Sequence, residues 1–182
     1  MEQNHKIAII GLGYVGLPLA VSFSKYYKTI GYDISENRIE ELKKSIDRNI
    51  DADINELDTL HFTYNLSELK DANIYIITVP TPVKSDNTPD LSFLESATKI
   101  VSNLIKKNDI IIYESTVYPG VTEDFCVPLL ERFSNFKFNI DFFCGYSPER
   151  INPGDKLRKL EDIVKVTSGS NSEVATIIDD LY

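Results

Sequence analysis

The sequence predicts a doubly wound α/β domain, a mostly parallel sheet with helices on both faces. Short apolar runs alternate along the chain with stretches whose apolar residues fall at helical spacing. The runs are apolar throughout rather than at every second residue, as strands covered on both faces must be. The first run leads directly into a glycine-rich turn, GLGYVG, at residues 11–16.

Taken in order, Lys6–Ile10 is the first strand, ended by Gly11, and a helix follows over Tyr14–Tyr26. Lys28–Asp33 is the second strand, and Ser35 caps a helix that runs to about Ile46. Residues 47–60 are polar and acidic and read as loop with some helix, before a short strand at His61–Tyr64. Asn73–Val79 is a strong strand that enters the proline-rich loop PTPVKSDNTPD. Leu91, Leu94, Ala97, Val101, Leu104 and Ile105 share one helical face and predict a helix over Leu91–Ile105. Strands at Asp109–Tyr113 and Asp141–Tyr146 flank a helix over Thr122–Phe133. Ile163–Thr167 is the last strand expected, and a further helix begins at Ser172 and reaches Leu181.

Composition narrows the function. The chain has 182 residues, 42% of them hydrophobic, enough to bury the core of one domain. No apolar run approaches the roughly eighteen residues of a membrane span, and the short apolar start lacks the pattern of a signal peptide, so the chain reads as cytoplasmic. A net charge of −9 argues against nucleic acid and anionic membrane as partners. It leaves room for a phosphorylated ligand held by backbone N–H groups at a helix start. Cys126 and Cys144 have no metal-ligand or CxxC spacing, and both read as small buried hydrophobes.

The glycine turn carries the chemistry. It follows a strand and opens a helix, the context a dinucleotide fingerprint requires. Gly11 permits the tight turn, Gly13 leaves room for a pyrophosphate, and Gly16 lets the helix pack on the strand, with Leu12, Tyr14 and Val15 completing the loop. Asp33 ends the second strand about twenty residues on, where an acid binds the adenosine ribose and repels a 2′-phosphate. This is the Rossmann-type pattern, and it predicts NAD rather than NADP. Arg38 reads as lying over or beside the adenine.

Further motifs continue the fingerprint: GLGYVGLPLA, then VPTP at 79–82, ESTVYPG at 114–120 and SPERINPGD at 147–155. Together they resemble the UDP-glucose/GDP-mannose dehydrogenase family over nearly the whole chain. SPERINPGD is most similar to the branch that oxidises UDP-N-acetylhexosamines, in particular the UDP-N-acetylglucosamine 6-dehydrogenases of Vi-type polysaccharide pathways. The resemblance implies oxidation of a nucleotide sugar's C6 alcohol to a carboxylate by two NAD+ in succession, through a cysteine-bound thioester, for surface polysaccharide biosynthesis. It implies a UDP-sugar substrate and a homodimer or higher homo-oligomer for the whole enzyme. It places Val79, Pro80, Thr81 and Ser115 along the cofactor, and Thr116 near the nicotinamide. Glu149 assists the hydrolytic water, and Arg150, Ile151 and Asn152 shape the substrate side. UDP-glucose dehydrogenases carry a second acid four residues after the first; Pro153 stands there, so that role is not carried over and UDP-glucose fits less well.

The residues alone leave alternatives open. Thr116 reads as well as a hydroxyl capping a turn, and Glu149 as a surface acid. Tyr118 and Tyr146 read as packing residues. An epimerase or dehydratase of the Tyr-x-x-x-Lys type is excluded, because no tyrosine has lysine four residues on. A self-contained, non-catalytic nucleotide-binding module stays as the alternative. The resemblance puts the catalytic cysteine and its paired lysine in a domain beyond residue 182. Residues 1–182 are therefore expected to be the NAD-binding domain, cut from a longer chain and inactive alone.

Overall fold

In a computed structural model of the chain, residues 5–47, 60–150 and 163–182 are described. They form one seven-stranded sheet in the order β3-β2-β1-β4-β5-β6-β7. The strands are β1 Lys6–Ile10, β2 Lys28–Tyr32, β3 His61–Thr63, β4 Ile74–Ile77, β5 Asp109–Tyr113, β6 Phe142–Tyr146 and β7 Ser168–Gly169. All pairings are parallel except that of β6 with β7. The helices are α1 Gly16–Ser24, α2 Glu36–Leu42, α3 Ser92–Ser102, α4 Val127–Ser134 and α5 Ser172–Leu181. This is the Rossmann-type doubly wound arrangement.

The apolar runs explain the layers. Every residue of β4 and β5 is buried. Alternate side chains feed the two faces. Ile7, Ile9, Ile74, Ile76, Ile110 and Ile112 pack with α1, α2 and α5. Ala8, Ile10, Tyr75, Ile77, Ile111 and Tyr113 pack with α3 and α4. A strand continuous in isoleucine thus serves two cores at once. Among the described residues, no helix is long and apolar enough to cross a membrane.

Helix ends follow local chemistry. Ser35 caps α2 by accepting from the Arg38 N–H, and Asn171 caps α5 by accepting from Val174. Helix α2 stops at Leu42, short of Ile46, because Ser45 turns into the left-handed region at φ 56°. The helix expected over Thr122–Phe133 opens instead as a π-helical turn, Val121–Cys126, before α4. A 3-10 turn at Leu66–Asp71, capped by Asn65, was not anticipated. The strand expected at Ile163–Thr167 is not one: the antiparallel strand is Ser168–Gly169, with Val164 and Val166 exposed.

Asp109 opens β5 at 2% exposure, its carboxylate accepting the Lys106 N–H at 2.7 Å. Burial pushes this carboxyl up to about 6. A folded-state value above the unfolded one favours the folded form in acid, and that contribution is lost as pH rises through about 4 to about 6. Asp109→Asn keeps an acceptor for Lys106 without the charge. Denaturant unfolding across that range should show the variant gaining on the parent as pH rises; a constant difference would show that Asp109 ionises freely.

Candidate functional site

A cleft of about 880 Å³ opens at the carboxyl ends of β1, β2, β4 and β5. The chain leaves β1 toward β2 on one side and returns as β4 on the other, so the sheet order reverses here. Open α/β sheets bind ligands at such switch points. From β2 to β5 is three strand spacings, about 14 Å.

The glycine turn forms the near wall. Gly11 takes φ 98°, and its N–H donates to Tyr32 O at 2.8 Å, carrying the β1–β2 ladder one step past the strands. The Thr78 hydroxyl at the end of β4 donates to Gly11 O at 2.7 Å. Gly16 lies under this contact: a Cβ there would sit 1.9 Å from Gly11 O and 2.4 Å from Thr78 Oγ1. A Cβ on Gly13 would meet nothing within 4 Å, because it faces open space. Helix α1 has no side-chain cap; Leu17 N–H donates to Gly13 O at 3.1 Å and Pro18 has no N–H, so the loop residues before the helix, Gly13, Tyr14 and Val15, are the ones that bring backbone N–H groups to the cleft wall.

The β2 corner holds Leu12 by both its N–H and its carbonyl. Leu12 N–H donates to Asp33 Oδ2 at 2.9 Å, and Leu12 O accepts from Arg38 Nε at 3.0 Å. Asp33 Oδ1 accepts the Ser35 N–H at 2.9 Å. Asp33 is on the cleft wall. Arg38 is not: its Nε is bonded to Leu12 O and its Nη2 pairs with Asp47 at 2.9 Å.

Val79, Pro80 and Thr81 and, opposite, Ser115 and Thr116 line the far wall. The two loops are tied: Ser115 Oγ donates to Val79 O and Thr81 Oγ1 to Thr116 O, each at 2.5 Å. Glu149 joins this end of the wall. Arg150 points away, donating to Val164 O at 3.1 Å, and is not on the wall. Ile151, Asn152 and Pro153 lie outside the described residues.

Sequence reasoning missed the charged floor beside Thr116. Glu114 is 1% exposed, accepts from Lys165 Nζ at 2.8 Å and from the Tyr182 hydroxyl, and lines the cleft with Glu149. Burial pushes the Glu114 carboxyl up, and Lys165 pulls it back down. Ile34, Ser92 and Phe93 also reach the wall, unassigned by any motif. Neither cysteine reaches it. Cys126 and Cys144 are buried among the core residues, and burial raises the Cys126 thiol to about 11 and also pushes the Cys144 thiol well up.

Residues 5–182 match the UDP-glucose/GDP-mannose dehydrogenase family, NAD binding domain. A UDP-N-acetyl-D-glucosamine 6-dehydrogenase of Pseudomonas aeruginosa is 53% identical over 99% of this chain and 43% of its own length. One of Salmonella typhi is 51% identical over 97% of this chain and 42% of its own. The structure of a UDP-D-ManNAc dehydrogenase from Pyrococcus horikoshii superposes with TM-score 0.85 at 34% identity, over 97% of this chain and 44% of that one. The chain thus spans less than half the length of these relatives.

Two glycines with opposite surroundings test the near wall. Gly16→Ala forces the start of α1 off Gly11 O and should destabilise the fold by about 1–3 kcal/mol. Gly13→Val projects into open space, so it should keep the thermal midpoint while abolishing NAD+ binding. Near-normal affinity in a folded Gly13→Val protein would remove the loop from the phosphate site.

The floor is tested by a cycle. Lys165→Met leaves the Glu114 carboxylate buried without its cation, a change that typically costs about 3 kcal/mol or more. Protonation relieves that cost, so the loss should be smaller near pH 5 than near pH 8, roughly spanning the rise of a buried carboxyl. Lys165→Met with Glu114→Gln should recover most of it. Chemical denaturation showing additive, pH-independent losses would refute the pairing.

Proposed function

The chain belongs to the UDP-glucose/GDP-mannose dehydrogenase family as its NAD-binding domain, and from that premise we propose that it is the cofactor half of a UDP-N-acetylhexosamine 6-dehydrogenase. The favoured sugar is N-acetylglucosamine, after the two relatives that are more than half identical. The observation that carries the reading is one continuous cleft wall, with the glycine loop and Asp33 at one end and Thr116 and Glu149 at the other.

The residues fit the cofactor. Backbone N–H groups of the loop before α1 receive the pyrophosphate over Gly13, where a side chain would intrude. Asp33 retains lone pairs beyond those given to Leu12 and Ser35, and these accept from the ribose hydroxyls. Val79, Pro80 and Thr81 exclude water along one side, with Ser115 and Thr116 facing them. Bound NAD+ supplies the hydride acceptor for the C6 alcohol. Glu149 and Thr116, which line the same end of the cleft, would orient the water that releases the acid. Arg150, Ile151 and Asn152 are assigned to the substrate side by family resemblance alone. The thiol that captures the aldehyde is supplied from outside residues 1–182, since Cys126 and Cys144 are buried away from the wall and held as thiols.

Calorimetry on the chain should show NAD+ binding, with NADP+ weaker. The full-length enzyme carrying this chain should convert UDP-N-acetylglucosamine to its 6-carboxylate and form NADH twice per sugar. The chain alone should give no steady NADH. Equal or tighter NADP+ binding would refute the role of Asp33. Turnover by the chain alone, lost on replacing Cys144, would refute the division of labour.

A further inference from the structure

Arg38 lies in the first turn of α2, after Asp33, and an arginine near the acid that ends the second strand is what accommodates a 2′-phosphate in NADP sites. Its guanidinium is committed elsewhere. Nε donates to Leu12 O at 3.0 Å, and Nη2 donates to Asp47 Oδ1 at 2.9 Å. The Asp47 side chain is fully buried and that of Arg38 is 13% exposed, so the pair is largely out of water. We propose that Asp47 determines cofactor choice by withholding Arg38 from the position of a 2′-phosphate. The proposal rests on the NAD-binding reading above.

The argument is one of competition. A charge-assisted bond between desolvated groups is strong. Drawing Arg38 out would break that bond between groups largely out of water. It would also remove the donor from Leu12 O, on the loop that shapes the pyrophosphate site. A 2′-phosphate therefore meets two obstacles. Asp33 repels it, and the nearby cation is not available to receive it. Replacing Asp33 removes only the first. The contrast is Ile34, which lies on the cleft wall at 74% exposure. An arginine introduced there faces the same region without Asp47 behind it.

The test measures NAD+ and NADP+ affinity for the parent, Asp33→Ser, Asp33→Ser/Asp47→Asn and Asp33→Ser/Ile34→Arg. Asp33→Ser should weaken NAD+ and improve NADP+ by less than about threefold. Both double variants should bind NADP+ about tenfold or more tighter than Asp33→Ser. In the Asp47→Asn background, adding Arg38→Ala should remove the gain. If Asp33→Ser alone matches Asp33→Ser/Ile34→Arg, Arg38 is already available and the proposal is overturned. No gain from Ile34→Arg, or none from a folded Asp47→Asn double, overturns it as well. Should the Asp47→Asn double fail to fold by thermal melt, the comparison of Asp33→Ser with Asp33→Ser/Ile34→Arg decides alone. Failure of the parent to bind NAD+ would instead overturn the reading of the cleft itself.

Discussion

The cleft depends on the close approach of the start of α1 to the carbonyl of Gly11. No side chain fits between them, since a Cβ on Gly16 would fall 1.9 Å from that oxygen. The approach brings the helix start to the ends of β1 and β4, so the loop that precedes it, Gly11 to Val15, lines the crevice. The Gly11 carbonyl would otherwise be a buried acceptor needing a partner. Thr78 supplies it, and the same hydroxyl lies 3.1 Å from Ile10 O. A hydroxyl at the end of β4 is thus a packing requirement of the β1 turn, set across 67 residues of sequence.

The second layer is the β2 corner. Asp33 faces the cleft, yet one of its oxygens already holds Leu12 N–H and the other Ser35 N–H. Its distance from the glycine turn is fixed by this bond as much as by any ligand. The acid is therefore preorganised: its orientation is set before any ligand arrives. The Arg38–Leu12 O bond fixes the next peptide group of the same residue.

What was legible in the sequence was what repeats locally. β1 and β5 appear at their anticipated bounds, and α5 ends where its periodicity ends, because apolar runs and caps are near-neighbour signals. The glycine turn was legible because its backbone geometry restricts residue choice. Long-range pairings were not. Nothing around Arg38 announces that Asp47 lies behind it. Lys165 sits between two valines, and the pattern suggests a strand with the valines inside. The structure does the reverse, with Val164 and Val166 exposed and Lys165 inside, because Glu114 lies beneath it. An ion pair between residues 51 apart has no local signature. The two-residue β7 is too short to show a period.

The two ends of the cleft are built on different principles. At the glycine end Gly11 and Leu12 are held by one backbone carbonyl, that of Tyr32, and by the side chains of Thr78, Asp33 and Arg38, while the surface turned to the cleft is the chain path itself. At the Thr116 end the floor is a buried charge pair, Glu114 with Lys165, roofed by the Tyr182 ring at 5.1 Å from the ammonium. Such a pair adds little net stability against an apolar replacement of equal shape. Its effect here is positional. It ties the end of β5 to the segment before β7 and to α5, so three separated stretches converge under Thr116 and Glu149. A backbone-defined end suits a ligand of fixed shape. A charge-defined end instead sets the field around the neighbouring Glu149 side chain, and that field changes when the lysine or the tyrosine is replaced.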